Sequence, residues 1–311
     1  MDFLSYEFMQ RALLAAFLVG MTAPTVGVYL VQRRLALIGD GLGHVALAGV
    51  AIGVLTSQAP VLTALVLAVI GAVAIELIRS RGHTSGDIAL AVLFYGGIAG
   101  GVVIISQAPG GTPGNLNAFL FGAITTTTAD DITVFAALCG LVLMVTLGLA
   151  RYLFAVSNDE EFAVASGLPV LRLNLLLVVV TAMTVVVSMR VIGLLLISAL
   201  MILPIASAQL VAASFRQTIA IGVGIGASVS VSGVTLSFYA DTPSGGTIVL
   251  LAIGVFVLVA LLRAVRTAVF RLRGAGRAEG VGSDDPVTDS PVTDSLLGGN
   301  VVPGGVGTRP V

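Results

Sequence analysis

Asp40 and His44 stand four residues apart in Gly39-Asp40-Gly41-Leu42-Gly43-His44, and the chain holds only 2 histidines. On a helix that spacing puts both side chains on one face, about 6 Å apart. A carboxylate beside a neutral imidazole suits Zn²⁺, Mn²⁺ or Fe²⁺. Two ligands from one chain make a loose site. A loose site releases its ion, whereas a closed tetrahedral cage holds it. The pair also fits an Asp–His hydrogen bond that only locks helix packing, or a proton relay. Spacing alone leaves these readings open.

The rest of the chain sets the medium around that pair. Of 311 residues, 57% are hydrophobic and 10% charged, with a mean hydropathy of +1.09. A soluble domain carries about 25% charged residues. A water-soluble globule of this size cannot hide so much apolar surface, which excludes a soluble enzyme for most of the chain. All 15 basic residues are arginine. A P-loop needs lysine on the phosphates, so the chain carries no P-loop ATPase of its own. The single cysteine, Cys139, sits in an apolar run and reads as a small buried hydrophobe.

A bilayer crossing takes about 20 mostly apolar residues. Nine stretches qualify: 8–31, 37–56, 59–78, 87–107, 129–153, 170–189, 191–212, 217–239 and 246–263. Two pairs of them nearly touch, so eight crossings with one broken helix is the alternative. The first stretch is too long for a signal-peptide core, and Asp2 and Glu7 precede it where basic residues belong. With the N-terminus outside, the inner loops collect Arg33, Arg34, Arg79, Arg81, Arg151, Arg172, Arg216, Arg263, Arg266, Arg271, Arg273 and Arg277. Arg11 and Arg190 fall outside. That bias orients the chain, N-terminus out and C-terminal tail in the cytoplasm. His44 then lies about 15 Å deeper than the arginines at the inner surface. A carboxylate at that depth costs several kcal/mol unless it is paired or wet.

Three further segments invite a chemical reading. In Asn158 to Pro169, Asn158 is expected to cap a short cytoplasmic helix of about eight residues, with Glu161 completing a capping box. Asp159 and Glu160 suit the positive end of that helix, Gly167 closes it and Pro169 stops it. Phe162, Ala163 and Ala165 give it an apolar surface, fit either for the membrane or for a cytoplasmic partner. Asp241-Thr242-Pro243-Ser244-Gly245 is an outside turn, ordinary in composition, in which Asp241 is placed to attract or gate a cation. Asn115 to Gly122, ahead of Thr125–Thr128 and Asp130-Asp131, is too short to span and reads as a re-entrant helix or a packed loop.

Other signals are weaker. Gly222-x-Gly224-x-Gly226 lies inside a span with no strand before it, so it serves helix packing rather than a dinucleotide. His83 reads as a solvated loop histidine. Glu76 is placed to snorkel or to pair with Arg79, and Pro204 to kink its stretch. Residues 274–311 are rich in Gly, Pro, Ser, Asp and Thr and repeat Pro-Val-Thr-Asp-Ser from Pro286 and from Pro291. They are expected to be a disordered cytoplasmic tail after a permease domain of residues 1–273.

Five blocks, in order over about residues 12–263, resemble the permease subunit of the zinc/manganese family of ABC importers. They are Gly39-Asp40-x-x-x-His44 with Gly49-Val50-Ala51-x-Gly53; Asn115-Leu116-x-x-x-Leu120-Phe121-Gly122; Asp159-Glu160-Glu161-x-Ala163 through Gly167; Arg190-Val191-Ile192-Gly193 through Met201-Ile202-Leu203-Pro204-Ile205-Ala206; and Asp241 to Gly245. The resemblance implies an all-α polytopic bundle of the type II importer kind, with eight or nine transmembrane helices. It implies a homodimer in the cell membrane, served by a cytoplasmic ABC ATPase and an extracellular metal-binding protein. It implies no covalently bound cofactor and no nucleic-acid partner; ATP is used by the partner subunit. Carried over, Asp40 and His44 become ligands for the transported metal and Asp241 an outer gate. Residues 158–168, with Asn158, Asp159, Glu160, Glu161, Phe162, Ala163 and Gly167, become the ATPase-coupling helix. The run His44-Val45-Ala46-Leu47-Ala48-Gly49 lacks the proline of manganese-type members and is closer to zinc-type ones. Manganese or iron is the alternative cargo. A proton-coupled secondary transporter is the alternative class, although no internal repeat accompanies it.

Overall fold

Apolar runs in this chain become helices because a backbone in lipid must satisfy its own hydrogen bonds. The computed structural model describes residues 6–81, 86–107, 120, 122 and 129–278. Its helices are α1 (Glu7–Gln32), α2 (Ile38–Leu55), α3 (Pro60–Ser80), α4 (Gly86–Ser106), α5 (Ala129–Gly148), α6 (Ala150–Asn158) and α7 (Glu160–Ala165). They continue with α8 (Val170–Val191), a 3-10 turn (Leu194–Leu196), α9 (Ile197–Gln209), α10 (Phe215–Ala240) and α11 (Ser244–Ala278). No strand occurs among the described residues.

Seven of these helices are long and apolar enough to cross a membrane, and α5 with α6 makes an eighth, bent by 67°. The stretch 191–212 does not form a full span. Gly193 adopts φ 96°, a conformation open to glycine, and ends α8. The 3-10 turn and the 13-residue α9 come next, with Pro204 inside α9. Thirteen residues reach about 20 Å, short of a bilayer core of about 30 Å. The chain nevertheless returns from end to end here. A Cβ on Gly245, four residues past Asp241, would collide with the Ile192 carbonyl. Phe215 lies against Tyr29 and Phe154, with ring centroids 5.7 and 4.5 Å apart. The broken segment thus preserves the alternation of ends that the arginines require.

Lipid offers no hydrophobic drive between helices, so close backbone approach must hold them. α1 is the centre of that packing. A Cβ on Gly27 would collide with the Met201 carbonyl of α9, and one on Gly20 would stand 2.7 Å from the Gly226 carbonyl of α10. The Tyr29 hydroxyl donates 2.9 Å to the Thr146 carbonyl of α5. Cys139, on α5, is 2% exposed. On the outside, Leu62, Val66 and Ile70 of α3 form an exposed stripe at helical spacing. So do Leu250, Ile253, Val257 and Leu261 of α11, as a lipid-facing surface needs.

Residues Met1–Ala264 form one unit and Val265–Val311 another. In the second, helix α11 runs on to Ala278, so the expected tail of residues 274–311 begins as helix; residues 279–311 lie outside the described residues. His83, Asn115–Phe119, Phe121 and Thr125–Thr128 also lie outside them, so the re-entrant segment is described only at Leu120 and Gly122.

Candidate functional site

Asp40 and His44 both lie on α2, and both are half-buried. α2 carries glycines where neighbours press on it. A Cβ on Gly41 would stand 3.0 Å from Leu93 of α4, one on Gly39 2.8 Å from the Ser198 hydroxyl of α9, and one on Gly49 2.6 Å from the Ala64 Cα of α3. α4 returns the fit, since a Cβ on Gly97 would stand 2.8 Å from the Val45 nitrogen. Phe94 meets the His44 imidazole edge to face, with centroids 4.8 Å apart and planes at 82°. Backbone contacts therefore fix the helix, and Phe94 packs on the His44 ring. Among the described residues, no hydrogen bond joins Asp40 to His44 or either of them to another side chain. Nor do three His, Cys, Asp or Glu side chains converge as a metal cage among the described residues. The chemistry on offer is two adjacent, uncommitted donors for a hard-to-borderline divalent cation.

Asp241 lies at one end of the bundle. It closes α10 in the left-handed conformation, φ 51° and ψ 44°, and is exposed. Beside it is a cleft of about 400 Å³ lined by Phe8, Met9, Phe238 and Thr242 among others. The start of α1 and the end of α10 therefore share this end, where the Phe8 and Phe238 rings stand 6.4 Å apart. Such a ring cluster suits a membrane–water boundary.

The opposite end holds α7 and an ionic network. Arg33, at the end of α1, donates from Nη2 to Glu160 Oε2 at 3.2 Å. Asn174 of α8 donates to Glu160 Oε1 at 3.1 Å. Arg79 of α3 approaches Glu160 Oε2 at 3.5 Å. Arg79 also grips Glu76 with both ends of its fork, at 2.7 and 2.9 Å. Glu76 is 1% exposed, so a charge buried there requires that bidentate partner. Burial and the neighbouring Arg79 lower the pKa of Arg33, while Glu76 and Glu160 raise it. Gln32 of α1 donates to Asn158 Oδ1 at 3.3 Å. Phe162 and Val164 of α7 face outward, 66% and 60% exposed, and Ala163 is buried.

The expected cap is displaced by one residue. Asn158 ends α6 instead of capping α7. Asp159 is the cap, with Oδ1 accepting from the Phe162 amide at 2.9 Å. Asn and Asp are equally good caps, and Gln32 claims the Asn158 side chain. Glu161 consequently falls at the second helical position, exposed, and completes no capping box. α7 has six residues rather than eight. Gly167 follows it at φ 77°, as a helix stop requires. The pairing of Glu76 with Arg79 was legible from their spacing. The convergence of Arg33, Arg79 and Asn174 on Glu160 was not, because those residues come from three separate helices.

The ABC 3 transport family profile matches residues 5–263. The manganese transport system membrane protein MntC of Halalkalibacterium halodurans is 30% identical over 255 residues, 82% of this chain and 87% of that protein. The high-affinity zinc uptake system membrane protein ZnuB of Haemophilus influenzae is 27% identical over 253 residues, 81% of this chain and 97% of that protein. The solved structure of PsaBC from Streptococcus pneumoniae in complex with Fab is similar at a TM-score of 0.74. Its sequence identity is 29%, over 82% of this chain and 92% of that one.

Proposed function

Because the chain belongs to the ABC 3 transport family, as the multi-pass permease of a metal-ion importer in the cell membrane, we propose that it passes Zn²⁺ to the cytoplasm by way of Asp40 and His44. The uncommitted donor pair on a fixed helix carries this reading. An ion needs ligands whose positions are set and whose lone pairs are free, and it must leave again. Ionised Asp40 and neutral His44 bind the ion, and protonating either weakens binding.

Two copies form the path, and the importer works by alternating access. A metal-binding protein delivers the ion at the Asp241 end, which faces outward. A cytoplasmic ABC ATPase docks on α7 at the arginine-bearing end, with Phe162 and Val164 as its apolar contact. ATP is hydrolysed by that partner, since this chain has no lysine for a P-loop. The proline-free run from His44 to Gly49 favours zinc. Manganese is the second reading, favoured by relatives named for manganese transport. Proton-driven secondary transport is not favoured by membership of this family.

The test is uptake of radioactive zinc into liposomes holding the chain with its ATPase and binding protein, with excess manganese as competitor. Zinc uptake that needs ATP, resists manganese and vanishes in His44→Ala is the expected result. Uptake blocked by manganese changes the ion. Normal uptake by a correctly inserted His44→Ala removes the site.

A further inference from the structure

Six buried side-chain polar atoms lack a partner among the described residues, and four of them surround the start of α7: Gln32 Oε1, Arg33 Nη1, Ser157 Oγ and Asn174 Oδ1. Unpaired polar atoms are rare in folded interiors and costly where they occur. These four gather at one place, where the end of α1 meets the start of α7.

The network shows which contact is adjustable. Arg79 is held through Nε and Nη2 to buried Glu76 and reaches Glu160 only with Nη1, at 3.5 Å. Arg33 is different. Its side chain is 5% exposed, yet it holds Glu160 through Nη2 alone, at 3.2 Å, with Nη1 unpaired beside it. A small shift of α7 toward α1 would let both nitrogens of the fork meet the carboxylate, the stronger bidentate form. Arg33 also begins the turn that leads into α2. Arg34 in that turn has φ 59°, and Asp40 follows seven residues after Arg33.

We propose that Arg33 and Glu160 are the joint through which movement of α7 reaches α1 and the start of α2, so that ATPase closure is passed to Asp40 and His44. This rests on the reading of α7 as the ATPase-docking helix. Both residues are positioning residues and touch no metal. Loosening the joint separates ATP hydrolysis from metal movement instead of stopping either by itself. Arg33 is 5% exposed and lies off α7, so its replacement leaves the outward-facing Phe162 and Val164 unchanged.

The experiment measures zinc delivered per ATP hydrolysed in liposomes containing the chain, its ATPase and its binding protein. Arg33→Gln is compared with Arg33→Lys, which keeps a cation on Glu160 and leaves Arg79 and Asn174 their partner. The ratio is expected to fall by about tenfold in Arg33→Gln, the scale of one lost charged hydrogen bond, and to be kept at least in part in Arg33→Lys. A merely structural brace would lower assembly or thermal stability and leave the ratio in surviving complexes unchanged. An unchanged ratio in Arg33→Gln, or an Arg33→Lys ratio as low as that of Arg33→Gln, overturns the joint. Failure of Arg33→Gln to assemble in the membrane overturns it too, because the pair is then scaffolding. The docking reading stands or falls separately: a Phe162→Cys chain that forms no crosslink to the ATPase removes α7 as its seat, whatever the ratio.

Discussion

A Cβ on Gly97 would stand 2.9 Å from the carbonyl carbon of His44, so α4 rests on the backbone of α2 with no side chain between them. Both members of the proposed metal pair owe their position to that contact and to its counterparts at Gly41 and Gly49. Gly97→Ala is expected to force the two helices apart at a cost of about 1–3 kcal/mol. The check is a thermal unfolding series in detergent alongside zinc uptake. Both should fall together, and a fully active, equally stable variant would show that α4 does not hold the site.

Asp40→Asn should act otherwise. The amide keeps the volume and removes the charge, and no described partner is lost. Folding and membrane insertion are expected to be preserved. Zinc uptake should drop by about tenfold or more, since a neutral amide is a poorer ligand than a carboxylate. Uptake kinetics at varied zinc, paired with quantified protein in the membrane, decide it.

The displaced cap predicts a contrast between neighbours. Asp159→Ala should destabilise α7 by about 1 kcal/mol and speed hydrogen exchange at the Phe162 amide, which it now holds. Asn158→Ala should leave that amide as it was. Equal effects at the two positions would restore the cap to Asn158.

Glu161 is exposed and bonded to no described residue. Glu161→Arg should therefore alter thermal stability by no more than about 0.5 kcal/mol while weakening capture of the ATPase. Co-purification at low and moderate salt measures this, and intact capture would take Glu161 off the docking surface.

What the sequence disclosed and what it hid divide along physical lines. Hydropathy and arginine placement marked the spans and their shared ends, because burial in lipid is written residue by residue. The structure brings Arg33, Arg79 and Glu160 to one end and the residues around Asp241 to the other, as that pattern required. Backbone direction is not written that way. The 67° bend after Gly148 and the fracture at Gly193 leave the local apolar content unchanged, so 129–153 and 191–212 look like ordinary spans. The cap was misread by one residue because Asn158 and Asp159 are chemically equivalent candidates, and only the distant Gln32 decides between them. Asp40 and His44 were legible as a pair because one helix carries both. The partners of Glu160 were hidden because they arrive from α1, α3 and α8.

The burial of Cys139 has a practical side. The chain has no other cysteine and no lysine, and the one thiol is 2% exposed on α5. Thiol reagents need an accessible thiolate, so the folded protein offers them almost nothing. A cysteine introduced at Phe162 or Asp241 becomes the sole address for a dye or spin label. Nature has already supplied the blank background on which labels at both positions together report distances during a transport cycle.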